Sequence, residues 1–164
     1  MNRHEAALTQ RGLAIVAAHL NGDYSGRDAL IEEFMKAYEF QRLADAFTYT
    51  SIVAVELAAT ARGVPFRAAL RLVKPDSQAV LLAGMQLPWD EAVWLAEHVK
   101  HGGPDIQVSA SRMDVPGAVN GSFQLAVSAF RALEAVPQLA GKTANEWTAV
   151  MLANLAAGAG VDDD

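Results

Sequence analysis

Apolar residues recur at three- and four-residue spacing along most of this chain, the pattern of helices that each bury one stripe. Leu8, Gly12, Ile15, Val16, His19 and Leu20 mark such a stripe over residues 4–20. Asn21-Gly22-Asp23 then supplies residues that tolerate the left-handed conformation closing a helix. Ser25 can cap a second helix whose apolar face is Leu30, Ile31, Phe34 and Tyr38. Leu43 falls out of phase with that face, so a break is expected at 39–42. The third helix, over 43–61, is apolar nearly all round (Phe47, Ile52, Val53, Val55, Leu57, Ala58) and is expected to be the central element. Gly63 stops it, and Pro65 suits the first turn of a short fourth helix that ends before Pro75.

The second half is more broken. Asp76 or Ser77 is expected to cap a short helix through Met85, and a clearer helix runs from Pro88 to about His101, ended by Gly102-Gly103-Pro104. Residues 106–111 alternate apolar and polar side chains, as an extended segment does; with no partner strand, an ordered arm fits as well as a sheet. Helical spacing resumes from Ser122 to Val136, with Phe123, Leu125, Ala126, Ala129, Phe130 and Leu133. Thr143-Ala144-Asn145-Glu146 fits a capping box ahead of Trp147, Val150, Met151, Leu152 and Leu155. The expected fold is all-α, an irregular bundle of six to eight helices in one domain over 1–161, with one short extended segment near 106–111 and an acidic tail at 162–164.

Composition narrows the functional classes. Residues are 52% hydrophobic but only 7% aromatic, because much of the apolar content is Ala, the strongest helix former. The formal charge of −6 repels phosphate backbones and anionic membranes, so neither nucleic acid nor membrane is an expected partner. Cysteine is absent, which excludes disulfides, thiolate nucleophiles and cysteine-based metal sites. The longest uncharged runs, 115–130 and 147–161, fall short of the ~20 apolar residues of a membrane span, and the start of the chain lacks a signal core. The expected compartment is the cytoplasm. Arg outnumbers Lys, a usage associated with GC-rich bacterial genes. Residues 11–72, with a Leu-Asn-Gly-Asp turn at 20–23 and an Ala-Arg-Gly-Val-Pro turn at 61–65, resemble a loose class of small Ala-rich helical proteins of high-GC bacteria. That resemblance implies fold type and compartment and supplies no functional residue.

Three places could carry chemistry. On the helix from Pro88, the buried stripe is Pro88, Ala92, Leu95, Ala96 and Val99, which turns Asp90, Trp94, Glu97, His98 and His101 to the other side. An outward Trp among polar residues fits a partner or ligand surface, unless the 103–117 segment covers it. Glu97, His98 and His101 have spacings that could share a divalent metal, though a helix C-terminus favours such groups anyway. Glu56, between Val55 and Leu57, would be a candidate acid or base if buried, with Thr48, Tyr49, Thr50 and Ser51 nearby; an exposed edge or pairing with an Arg from another helix is the ordinary alternative. Residues 57–74 superficially follow a helix-turn-helix, with Arg67, Arg71 and Lys74 on one face, but the first helix is too long and the chain too acidic. His19 on an apolar face reads as a satisfied core residue, and His4 as exposed.

No phosphate loop, nucleophile elbow or His-Glu-x-x-His helix occurs, so no catalytic residue, metal or cofactor is assigned. The expected function is that of a non-enzymatic binding or adaptor protein acting through helical surfaces. Its expected partner is another protein or a second copy of itself, since obligate interfaces are as apolar as a core. The alternative is a small-molecule- or metal-binding helical protein using Glu56 or the Trp94/His98/His101 face.

Overall fold

The computed structural model describes residues 1–102 and 114–161. The described residues are 71% helical, with no strand among them and seven α-helices. They are α1 (Arg3–Leu20), α2 (Tyr24–Ala37), α3 (Arg42–Arg62), α4 (Phe66–Arg71), α5 (Trp89–Lys100), α6 (Val115–Leu133) and α7 (Ala144–Ala156), with a 3-10 turn at Pro137–Leu139. The all-α irregular bundle is what the periodicity predicts. The extended reading of 106–111 and the acidic tail at 162–164 lie outside the described residues.

Local chemistry explains most of the helix ends. Capping boxes close both terminal helices: Asn2 with Glu5 starts α1, and Thr143 with Glu146 starts α7, as the sequence indicates for the latter. Gly63 ends α3 at φ 68°, a left-handed position where a Cβ would be strained. The second helix begins earlier than expected. Asp23, not Ser25, is its cap, with a carboxylate oxygen accepting from the Gly26 N–H at 2.9 Å. Pro65 sits one residue before α4 rather than inside its first turn.

Helix α3 packs against α1, α4, α5 and α6, so it is central as expected, yet α6 is even more enclosed. Every residue from 117 to 130 is buried. Phe123 of α6 meets Phe47 of α3 edge-on at 5.2 Å, and His19 of α1 at 5.0 Å, tying three helices at one point. Gly12 lets α1 approach α3 closely: a Cβ there would stand 2.7 Å from the Ala46 carbonyl oxygen and 2.5 Å from Thr50 Oγ1. The hydroxyls buried along these helices bond back to carbonyls of their own helix, as Thr48 does to Ala44, Thr50 to Ala46 and Ser122 to Ala118.

Two expectations are corrected in the second half, and one cause accounts for both. Helix α6 starts at Val115 instead of Ser122, because the Asp114 carboxylate caps it at Gly117 and Pro116 occupies its first turn. The polar residues Asn120, Gln124 and Ser128 thus lie inside a buried helix, on one face at four-residue spacing. They hold the backbone of 72–88, which forms no helix through Met85 and instead crosses α6 as an irregular segment. Asn120 Oδ1 accepts from the Leu81 and Leu82 N–H groups at 3.0 and 3.1 Å. Its Nδ2 donates to the Leu82 and Gln86 carbonyls, each at 3.2 Å. All four bonding positions of this amide are used. The Asp76 N–H donates to Ser128 Oγ, and Gln124 Nε2 donates to the Asp76 carbonyl. A helix at 76–85 would have competed for these backbone groups; the α6 side chains satisfy them without it.

Asn120→Ala should therefore remove four backbone hydrogen bonds at once and cost about 3 kcal/mol in denaturant unfolding. In hydrogen exchange the Leu81 and Leu82 amides should lose protection before the amides of α6 do. An unfolding free energy within error of the wild type would show that water replaces the amide without loss.

Candidate functional site

The outward face of α5 takes the form its spacing indicates. Ala92, Leu95 and Ala96 are buried, with Pro88 and Val99 at the margin, and Asp90, Trp94, His98 and His101 turn away from the core. Trp94 is 37% exposed and stacks on His98, with ring centroids 5.2 Å apart and planes at 15°. Glu97 forms an ion pair with Arg67 of α4. The His101 Nδ1–H donates to the Glu97 carbonyl at 2.8 Å, as a residue closing a helix often does. Arg67, Trp94, Glu97, His98 and His101 line an open depression of about 500 Å³. Among the described residues no three His, Asp or Glu side chains gather as a metal site.

Glu56 is not buried. Its side chain is 46% exposed and binds Lys100 Nζ of α5 at 2.6 Å, the ordinary alternative for a carboxylate at a helix edge. Of the neighbouring hydroxyl residues only Tyr49 joins it in lining a groove of about 520 Å³ beside α7; Thr48, Thr50 and Ser51 are spent on carbonyls of α3. The basic face imagined for 67–74 is dispersed as well. Arg67 pairs with Glu97, Arg71 is exposed, Lys74 turns to another cleft, and α4 is only six residues long, too short for a recognition helix.

That other cleft escapes sequence reasoning. It lies between α3, α4 and α6, measures about 340 Å³, and has walls that include Val55, Ala58, Leu72, Ala129, Ala132 and Val136. Asp76 and Arg131 stand at its edge, joined carboxylate to Nε at 2.7 Å. They are 55 positions apart in the chain, and what brings them together is the bonding of the 72–88 segment to α6, which leaves no trace in periodicity.

His19 is buried and bonded, as expected, while His4 is exposed. The Arg27 guanidinium donates to His19 Nδ1 at 3.0 Å; since guanidinium offers no acceptor, Nδ1 is the bare nitrogen and the proton sits on Nε2. Burial, reinforced by the charges of Arg27 and Arg131 and partly opposed by Asp76, holds the imidazole below its usual range. No family model, curated protein or solved structure matches the chain.

The sign of the resulting pH dependence follows from His19 being neutral in the fold. Above the unfolded-state value of about 6.5, both states are neutral and His19 adds no slope. Below it the unfolded chain takes up a proton that the folded chain refuses, so stability falls with pH until the lowered folded value is crossed. His19→Gln should flatten this part of the stability profile in urea titrations below about pH 6.5, whatever its effect on absolute stability. An unchanged slope would show that the fold does not hold the imidazole below its usual range.

Proposed function

We propose that this is a non-enzymatic binding protein that acts through its helical surfaces and self-associates along α2. The observation that carries this reading is the surface of α2 itself. Phe34 is its only buried residue, and the helix packs mainly on α1. Leu30 and Ile31 flank Phe34 on the helical wheel, with Tyr24 and Met35 beyond Ile31, while Glu32, Glu33 and Lys36 take the other side. Tyr24, Leu30 and Met35 are 54%, 38% and 45% exposed, so the apolar arc is wider than α1 covers. Two such arcs brought together by a twofold axis would cover each other's margins. The same reading keeps the protein in a bacterial cytoplasm, in line with its cysteine-free, acidic composition.

A second reading, in which the α5 face takes a protein or small-molecule partner, is favoured by the exposed Trp94 beside Arg67 and two imidazoles. Trp and Arg are the side chains most often found at the energetic centre of interfaces.

Light scattering and sedimentation should give a dimer or larger species at micromolar concentration. Leu30→Glu combined with Met35→Glu should return a monomer whose unfolding free energy is within about 0.5 kcal/mol per substitution of the wild type. A wild type that is monomeric across a wide concentration range overturns the reading. For the second surface, Trp94→Ala should lower stability by about 1 kcal/mol, well under the ~3–5 kcal/mol of a buried aromatic. A loss in that larger range would make Trp94 structural.

A further inference from the structure

We infer that the cleft between α3, α4 and α6 is a binding site for a small amphipathic monocarboxylate. Three features of the cleft meet in that ligand, and none depends on self-association through α2. The walls are apolar and built of small side chains: Val55 and Ala58 from α3 face Ala129 and Ala132 from α6, with Leu72 and Val136 at the ends. Such a surface holds an alkyl or aryl body. The volume of about 340 Å³ accommodates a body of about ten non-hydrogen atoms, taking roughly 30 Å³ for a water-sized unit.

The charge at the rim selects the head group. Arg62, Lys74 and Arg131 line the cleft together with a single acid, Asp76, in a chain whose overall charge is −6. Asp76 is already committed: one oxygen binds Arg131 Nε at 2.7 Å and the other accepts the Gln78 N–H at 2.9 Å. Its backbone is fixed in turn by Ser128 and Gln124, so it cannot swing to neutralise the other cations. The outer nitrogens of Arg131, and all those of Arg62 and Lys74, make no hydrogen bond or ion pair within the described residues. A carboxylate with an apolar body satisfies these donors while its tail covers the walls. The fixed negative charge of Asp76 works against a dianion, which separates a carboxylate from a phosphate monoester.

Octanoate, which has ten non-hydrogen atoms, is a suitable probe of the full chain. Calorimetric titration should show saturable binding, with amide shifts in nuclear magnetic resonance centred on Val55, Ala58, Ala129 and Ala132. Octanol and inorganic phosphate should each bind at least about tenfold more weakly, since each lacks one half of the match. Arg62→Gln combined with Lys74→Gln changes only rim side chains and should weaken octanoate about tenfold or more while leaving octanol unchanged. Ala132→Phe, which fills the cleft, should abolish both, with the melting curve reporting that the variant is folded. Equal binding of octanoate and octanol, indifference to the rim substitutions, tighter binding of phosphate, or shifts centred on the Glu56–Lys100 groove would each overturn the assignment.

Discussion

The side-chain amide of Asn120 is the contact on which the second half of the molecule depends. It is fully buried on a helix with no solvent-facing middle, and it makes every hydrogen bond its two polar atoms allow. Those bonds hold the irregular 72–88 segment across α6, so that Pro88 arrives against Gly121, where an added Cβ would stand 3.1 Å from both Pro88 Cγ and the Pro88 carbonyl oxygen. The start of α5, and hence the direction in which Trp94 faces, is set by this approach. One turn further along, Gln124 and Ser128 anchor Asp76 and thereby place the ion pair at the rim of the α3/α4/α6 cleft. In a low-dielectric interior a fully bonded amide such as that of Asn120 is rigid, whereas Gln124 Oε1, buried with no hydrogen-bond partner among the described residues, carries a cost.

The first half of the fold was legible because it follows rules that act within one helix. The stripe from Leu8 to Leu20, the phase break after Tyr38 and the stop at Gly63 are all local; α1 to α3 begin and end within two residues of where the pattern puts them, and α4 ends before Pro75 as the pattern requires. The capping box of α7 is local too. The misreadings have the opposite character. Asn120 and Gly121 look like helix breakers, since Asn competes for backbone hydrogen bonds and Gly gains most from disorder. In the fold both are mid-helix, because their value is realised against a segment more than thirty residues away. The helix expected from Asp76 failed for the same reason, its backbone being claimed by side chains that periodicity cannot reveal.

Candidate functional residues divide along the same line. Trp94 and His98 were placed correctly on the outer side of α5, because a helical wheel needs only the spacing of Ala92, Leu95 and Ala96. For Glu56 the sequence left two readings open, and it took the exposed edge with a basic partner, although its position between Val55 and Leu57 does not reveal that the partner is Lys100 of α5. The Asp76–Arg131 pair had no signal at all. A charged residue beside a proline and another near a helix end are unremarkable until the long-range bonds of α6 bring them together.

The bonding of 72–88 also alters how this connection should behave in evolution. Surface connections ordinarily accept insertions and deletions, because their backbone is hydrated and indifferent to register. Here backbone groups of Asp76, Leu81, Leu82 and Gln86 are matched to side chains at four-residue intervals along a rigid helix. Adding or removing one residue would shift each group away from its partner, much as a slipped strand loses its ladder. Relatives of this chain should therefore vary in length at the 38–41 and 140–142 turns while keeping the seventeen positions from 72 to 88 constant in number.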